Sequence, residues 1–134
     1  MEIGFTKQIK FSITQQQVEQ FAEISGDKNP IHLDINYANK SIFKRRIIHG
    51  ILSASIFSKI FGTIFPGEGT IYLEQLLHFK KPMYVDDKYY AKLTVVEIDK
   101  LKHKACILTE IFEEDTNHIT IDGHAKILNV KEIR

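Results

Sequence analysis

The spacing of hydrophobic residues changes near residue 70, and this change divides the chain into two kinds of predicted element. Before it, residues 14–25 place hydrophobic side chains at helical spacing, and residues 49–62 form an almost wholly apolar run with interspersed serines. After it, hydrophobic and polar residues alternate, which is typical of strands with one buried face. The alternating segments are residues 70–79, 89–98, 103–113 and 119–130, with a shorter one at residues 4–12.

Local signals mark the ends of the predicted helices. Thr14 precedes the first helix and Gln17 lies three residues later, which predicts a capping box. Gly26 ends that helix, because glycine readily takes the left-handed backbone conformation of a helix C-terminus. Asp34 is placed to cap a second, short helix.

The order of these elements predicts an α+β fold, with the helices on one face of an antiparallel sheet. Short links join the last three strands, so we expect them to form a meander. The long helix at residues 49–62 is apolar on nearly all sides, which predicts that it is buried. One long apolar helix wrapped by a curved antiparallel sheet is the hotdog arrangement.

Composition narrows the class of protein. A length of 134 residues suits one domain spanning 1–134, and a net charge of +1 gives no reason to expect a nucleic-acid partner. Cys106 is the single cysteine, so an internal disulfide cannot form. The apolar residues around it predict that Cys106 is a small buried hydrophobic residue. The N-terminus lacks the apolar core of a signal peptide, and residues 47–65 are too interrupted to span a bilayer. We therefore expect a cytoplasmic protein without a membrane partner.

The candidate chemistry begins directly after the first helix, where Gly26 is followed by Asp27, Asn29, Pro30 and His32. Proline disfavours the helical conformation in the residue before it, so the chain must turn at this point. A carboxylate and an imidazole on one stiffened turn are the minimal set of groups for proton transfer at neutral pH. A capped turn with a packed histidine explains the same residues, and the local pattern alone favours that interpretation.

A second candidate lies at the start of the long helix, at His49 and Gly50. The first N–H groups of a helix have no intrahelical acceptor and lie at the positive end of its dipole. Glycine lets a carbonyl oxygen come close enough to be polarised there, as in an oxyanion hole. A plain helix start, with His49 as a neutral core histidine, is the favoured interpretation on local grounds.

Other motifs are missing or ambiguous. The histidines show no metal-ligand spacing and no glycine-rich nucleotide loop is present, so we predict no metal and no cofactor. Ser58 belongs to the long helix and can either bond back to its own backbone or support Asp27. The basic run Lys44, Arg45 and Arg46 fits a solvated connector, and it also fits a contact with the phosphates of coenzyme A.

In these two segments and beyond them, the sequence resembles the (R)-specific enoyl-CoA hydratases of the MaoC-like hotdog family. The resemblance is carried by a motif that reads S-G-D-x-N-P-x-H at residues 25–32, flanked by Phe21 and Ala38. It continues through Ile48-His49-Gly50, Ser58, and residues 66–73, and it covers most of the chain.

The resemblance implies a reversible syn addition of water to a trans-2-enoyl-CoA, giving (3R)-3-hydroxyacyl-CoA. It implies that Asp27 and His32 are the catalytic pair and that the N–H of Gly50 binds the thioester oxygen. It also implies supporting roles for Asn29, which orients the loop or the water, and for Ser58, which holds the catalytic acid.

The same resemblance implies a homodimer in which two sheets join edge to edge, with an acyl-CoA thioester as the small-molecule partner. Three functions stay open at this point. They are hydration of an enoyl-CoA, dehydration of an acyl-carrier-protein substrate or thioester hydrolysis on the same scaffold, and non-catalytic binding of acyl-CoA. An intact acid–base pair argues against the last, because a protein that only binds does not need one.

Overall fold

Five antiparallel strands form one curved sheet in the order β1-β3-β4-β5-β2. The computed structural model describes all 134 residues. The elements in chain order are β1 (Thr6–Phe11), α1 (Gln15–Ser25), α2 (Pro30–Leu33), α3 (Ile35–Asn39), α4 (Gly50–Thr63), β2 (Ile71–Phe79), β3 (Tyr89–Asp99), β4 (Lys104–Glu113) and β5 (Ile119–Leu128).

The meander predicted for the last three strands is confirmed, since β3, β4 and β5 are neighbours in the sheet. The first long strand, β2, pairs only with β5 and therefore forms one edge of the sheet. Gly123 allows this pairing, because a Cβ atom there would lie 1.7 Å from the Leu76 carbonyl oxygen. The α+β hotdog architecture predicted from the pattern is thus present.

The core lies between α4 and the concave face of the sheet. On α4, Phe57, Ile60 and Phe61 are at most 1% exposed, and they pack with sheet residues such as Leu93 and Ile107. Burying a side chain of this size stabilises the fold by roughly 1.5–3 kcal/mol. This packing fixes α4, and therefore its N-terminus, against the sheet.

The prediction that α4 is buried on nearly all sides is only half right. Ile51 is 59% exposed, and Ser55 and Ser58 are also exposed on the side of the helix that lies next to β2. Sequence hydrophobicity could not distinguish burial in the core from exposure of an apolar strip, because both require apolar residues. The exposed strip is continuous with the apolar edge strand, where Leu73 and Leu76 are 41% and 52% exposed.

The predicted caps are confirmed. Thr14 accepts a hydrogen bond from the Gln17 N–H at 3.2 Å, and the Gln17 side chain accepts from the Thr14 N–H at 2.9 Å. Gly26 ends α1 with a φ of 77°. Asp34 caps α3 by accepting from the Tyr37 N–H at 3.0 Å.

Two local expectations are wrong. The turn predicted to carry Asp27 and His32 is only partly present, because Pro30–Leu33 forms the short helix α2. Cys106 is half-buried rather than buried, because the inward positions of β4 are its neighbours Ala105 and Ile107. None of the helices has the length and apolar character needed to cross a membrane.

Candidate active site

The predicted acid–base pair lies at the junction of α1, α2 and α4. Asp27 follows Gly26, whose left-handed backbone turns the chain sharply away from α1. Its side chain is exposed, and Oδ1 accepts a hydrogen bond from the Asn29 N–H at 3.3 Å. No protein group donates to Oδ2, which is therefore free to meet a ligand or water.

His32 lies inside α2 rather than on a loop. Asn29 caps this helix through its side-chain oxygen, which accepts from the Ile31 N–H at 3.3 Å, and Pro30 occupies the first turn. Proline is well suited to that position because its fixed φ is already helical. The cap and the proline together hold His32 in one orientation, and this is the structural role that Asn29 has in the chain.

The two ring nitrogens of His32 have different roles. Nδ1 lies 2.8 Å from the Ile47 carbonyl oxygen, and a carbonyl can only accept, so Nδ1 carries the hydrogen. In the neutral ring Nε2 is then the nitrogen with the free lone pair. The segment is held a second time by the Ile47 N–H, which donates to the Ile31 carbonyl at 3.3 Å.

The environment of His32 favours the neutral ring. The side chain is 8% exposed, and this burial lowers the pKa of His32 below its ordinary value of 6.5. Repulsion from His49 also lowers the pKa, whereas the bond to Ile47 and the Asp27 carboxylate act in the opposite direction. His32 is therefore available as a proton acceptor at neutral pH.

The spacing of the polar groups fits one bridging water molecule. Asp27, His32 and His49 each have a polar atom within 4.8 Å of the others. A water oxygen makes hydrogen bonds of about 2.8 Å, so it spans two groups that lie up to about 5.6 Å apart. The Asp27 carboxylate and a ring nitrogen of His32 are thus close enough for a single water molecule to bridge them.

Gly50 is the first residue of α4, as predicted, so its N–H has no acceptor within the helix. A side chain at Gly50 would require its neighbour on β2 to move. A Cβ atom there would lie 2.6 and 2.7 Å from two ring carbons of Phe79, at the end of β2. The sheet edge therefore packs directly against the helix N-terminus.

His49 is a site residue whose contacts the sequence did not reveal. It is 2% exposed, and its Nε2 lies 2.9 Å from the Asp27 carbonyl oxygen. Its ring stacks on the His32 ring with centroids 3.8 Å apart, and the Phe21 ring meets it edge-on at 4.9 Å. The only available sequence signal was a histidine directly before the glycine that begins a buried helix.

Ser58 is not brought to the pair within one chain. It lies eight residues after Gly50, which is about 12 Å along a helix axis, and no hydrogen bond joins it to Asp27. It belongs instead to the exposed side of α4, beside the β2 residues Tyr72 and Leu77. A supporting contact between Ser58 and Asp27 of the same chain is therefore not formed.

The cluster of Asp27, His32 and His49 also has the residue types of a metal site. Its geometry does not favour one, because metal-binding lone pairs lie in the ring planes and must converge on one point. The two imidazole planes are stacked, with an interplanar angle of 29°, and one nitrogen of each ring already bonds to a carbonyl. The arrangement suits proton transfer better than metal coordination.

The basic run is largely occupied by contacts within the protein. Arg45 pairs with Asp87 at 2.9 Å and lies over the Tyr84 ring at 3.6 Å, and Arg46 donates to the Leu33 carbonyl at 3.3 Å. These contacts connect the segment before α4 to α2 and to the turn that precedes β3. Of the three basic residues, Lys44 is the one whose side chain makes no such contact.

A groove of about 440 Å³ opens between α1 and α4. Its apolar lining includes Phe21, Leu52 and Ile56. Phe21 also contacts the His49 ring, so the groove is continuous with the surroundings of the two stacked histidines.

Comparison with known proteins adds independent information. Residues 2–116 match the family described as the MaoC like domain. The chain is 39% identical over 127 residues to the (R)-specific enoyl-CoA hydratase of Aeromonas caviae, covering 95% of this chain and 94% of that protein. It is 35% identical over 127 residues to the 3-hydroxybutyryl-CoA dehydratase of Methylorubrum extorquens, covering 95% and 80%. The solved structure of the (R)-hydratase from A. caviae involved in PHA biosynthesis superimposes with a TM-score of 0.92 and 36% identity, covering 96% and 97%.

Proposed function

The chain belongs to the MaoC-like domain family, and from this premise we propose that it hydrates trans-2-enoyl-CoA thioesters to (3R)-3-hydroxyacyl-CoA. The observation that carries the proposal is the water-sized spacing between Asp27 and His32, beside the free N–H at the start of α4. The relatives named for this reaction and for 3-hydroxybutyryl-CoA dehydration support the same chemistry in both directions.

In the proposed reaction, the thioester oxygen accepts a hydrogen bond from the Gly50 N–H. Water held between Asp27 and His32 attacks C3, and the pair takes the proton that this water loses. Negative charge then develops on the thioester oxygen, where the helix N-terminus stabilises it. C2 gains a proton from the pair, so that the elements of one water are added and the enzyme returns to its starting state.

The Asp27–His32 pair and the Gly50 N–H are expected to contribute different amounts to the rate. General acid–base catalysis by the pair contributes roughly 10²–10⁴ in rate, and one oxyanion donor contributes roughly 10²–10³. Asn29 acts through its cap on α2, which keeps the His32 ring in place.

The groove between α1 and α4 supports a location for the acyl chain. It begins beside the His49 ring at Phe21 and runs along Leu52 and Ile56. A substrate whose thioester is bound at Gly50 can extend its acyl chain along this apolar surface, away from Asp27 and His32.

We also propose that residues 1–134 act as one domain and that the working unit is a homodimer. β5 lies after the matched residues 2–116 and sits between β4 and β2, which makes it an integral part of the sheet. β2 has one unpaired edge and exposes Ile71, Leu73 and Leu76, the pattern of a strand that pairs with another copy. The single half-buried cysteine suits a cytoplasmic location.

A dimer formed through β2 also explains the position of Ser58. This residue lies on the exposed side of α4 next to β2, about 12 Å along the helix from Gly50. Two α4 helices related by a twofold axis beside β2 run antiparallel, which brings Ser58 of each chain towards the α4 N-terminus of the other. In this proposal Ser58 supports the acid across the dimer rather than within its own chain.

The test is loss of the enoyl-thioester absorbance on mixing the protein with crotonyl-CoA, together with a thiol reagent that detects free coenzyme A. Hydration predicts loss of absorbance without release of thiol. Release of thiol at the same rate would identify a thioesterase instead. Absence of any change with crotonyl-, hexenoyl- and octenoyl-CoA, followed by turnover of an acyl-carrier-protein thioester, would identify the carrier-protein dehydratase.

A further inference from the structure

We propose that His49 is a positioning residue. Its Nε2–H holds the backbone carbonyl of Asp27, and its ring stacks on the face of the His32 ring. This inference rests on the proposed hydration, because it assigns a role in that reaction to a residue that does not itself transfer the proton. It is drawn from the contacts of the His49 ring with both members of the pair.

The first contact is the hydrogen bond from His49 Nε2 to the Asp27 carbonyl oxygen, at 2.9 Å. A carbonyl only accepts, so Nε2 is the donor. Every other protein hydrogen bond of residues 26–29 joins them to residues at most four positions away, such as those to Ser25 and Ala22. The bond from His49 is therefore the one that fixes this turn relative to α4.

The second contact is the stack on His32, with ring centroids 3.8 Å apart. The His49 ring also meets the Phe21 ring edge-on at 4.9 Å, which gives it a packing contact with α1. One ring thus sets the position of the Asp27 backbone and of the His32 imidazole, and the next residue along the chain is Gly50.

A third observation separates this role from simple core packing. His49 is 2% exposed, yet its Nδ1 has no hydrogen-bond partner. A buried polar atom without a partner destabilises a fold, and an aromatic hydrocarbon side chain of similar size would avoid this loss. Retaining an imidazole at this position is explained by the donor Nε2–H, which a phenyl ring lacks.

The proposed consequence is kinetic. The pair must hold one water at hydrogen-bonding distance from both groups, and a displacement of about 1 Å at a catalytic site costs about 10²-fold in rate. Loss of the His49 donor frees the Asp27 turn, so we expect kcat to fall. The KM for the thioester should change little, because the Gly50 N–H and the apolar groove remain.

The closing experiment compares His49→Gln with His49→Asn, using crotonyl-CoA hydration. The Gln amide nitrogen reaches about as far as Nε2, whereas the Asn amide is one methylene shorter and fits the position of Nδ1. Both variants lack the stacked ring, and only Gln places a donor at the Nε2 position, so we expect the kcat of His49→Asn to lie about tenfold below that of His49→Gln, with KM within about threefold of the parent in both. Equal kcat in the two variants, or a loss confined to KM, would overturn the proposal.

His49→Phe gives the second readout. It keeps a stacked ring but removes the donor, so we expect a loss of kcat like that of His49→Asn, together with an unchanged or higher Tm. A residue needed only for packing would give the reverse result, with normal kcat and a changed Tm. Full activity in His49→Phe would contradict the role of Nε2–H.

Hydrogen exchange separates failure of this inference from failure of the proposed reaction. The Lys28 and Asn29 amides bond within the Asp27 turn, so they should exchange faster in His49→Asn than in His49→Gln. This difference is expected whether or not the parent protein hydrates an enoyl thioester. Inactivity of the parent protein would contradict the proposed function alone, whereas equal exchange in the two variants would contradict the role of His49.

Discussion

Replacing Gly50 with alanine tests the link between the sheet edge and the oxyanion-binding N–H. The added Cβ would lie 2.6 Å from a Phe79 ring carbon, while ordinary contact begins at 3.4 Å, so the Phe79 ring and the start of α4 must move apart by about 0.8 Å in total. A shift approaching 1 Å at a catalytic donor costs up to about 10²-fold. We therefore expect kcat/KM to fall about 10–100-fold, which corresponds to about 1.4–2.7 kcal/mol of transition-state stabilisation.

The assay is steady-state hydration of crotonyl-CoA by four proteins: the parent chain, Gly50→Ala, Phe79→Ala and the double variant. Phe79 is 53% exposed, so its truncation should leave the fold intact. If the clash causes the loss, the double variant should recover to within about threefold of Phe79→Ala.

Two results would contradict the proposed displacement of the Gly50 N–H by a clash with Phe79. A double variant as slow as Gly50→Ala would mean that the methyl group obstructs the substrate and does not act by displacing Phe79. A Gly50→Ala protein with the activity of the parent would mean that the Phe79 ring moves aside and that the start of α4 keeps its position.

Three further predictions concern the pair and the sheet. Asp27→Asn should lower kcat at least about 10²-fold in the hydration assay with an unchanged Tm, because it removes the carboxylate without altering the volume of the side chain; a loss below tenfold would exclude the proposed role. Burial lowers the pKa of His32, so kcat/KM should stay high as the pH is lowered to 6.5 and below. It should fall only when the pH passes through the lowered pKa, where Nε2 becomes protonated. A midpoint at or above pH 6.5 would contradict this prediction. Gly123→Ala should lower the free energy of unfolding, measured in urea, by about 1–3 kcal/mol or more. The added Cβ would lie 1.7 Å from the Leu76 carbonyl oxygen and force β2 away from β5. An unchanged urea midpoint would show that the edge strand adapts.

Much of the fold was predictable because its signals are local. The capping box of Thr14 and Gln17 and the left-handed Gly26 depend on neighbouring residues only, and both are confirmed. The alternation in the strands is also local, and the observed burial of β4 follows it, with Ala105 and Ile107 on the buried face.

What the sequence did not reveal depends on contacts between distant segments. His49 meets Asp27 across 22 residues, and Phe79 meets Gly50 across 29, so no spacing rule connects them. The side of α4 that carries Ser58 was also missed, because an apolar strip that faces solvent in one chain has the same pattern as a buried one.

The most direct test of the central claim is the stereochemistry of hydration in deuterated water. Crotonyl-CoA is converted in D₂O, and the product is analysed for its configuration at C3 and for the face on which deuterium enters at C2. Because the water and the proton both come from the side of the Asp27–His32 pair, we expect deuterium at C2 on the same face as the hydroxyl, and the proposed function gives the (3R)-3-hydroxybutyryl-CoA product. Deuterium on the opposite face would contradict the proposal that this pair performs the reaction, and a 3S product would contradict the proposed function.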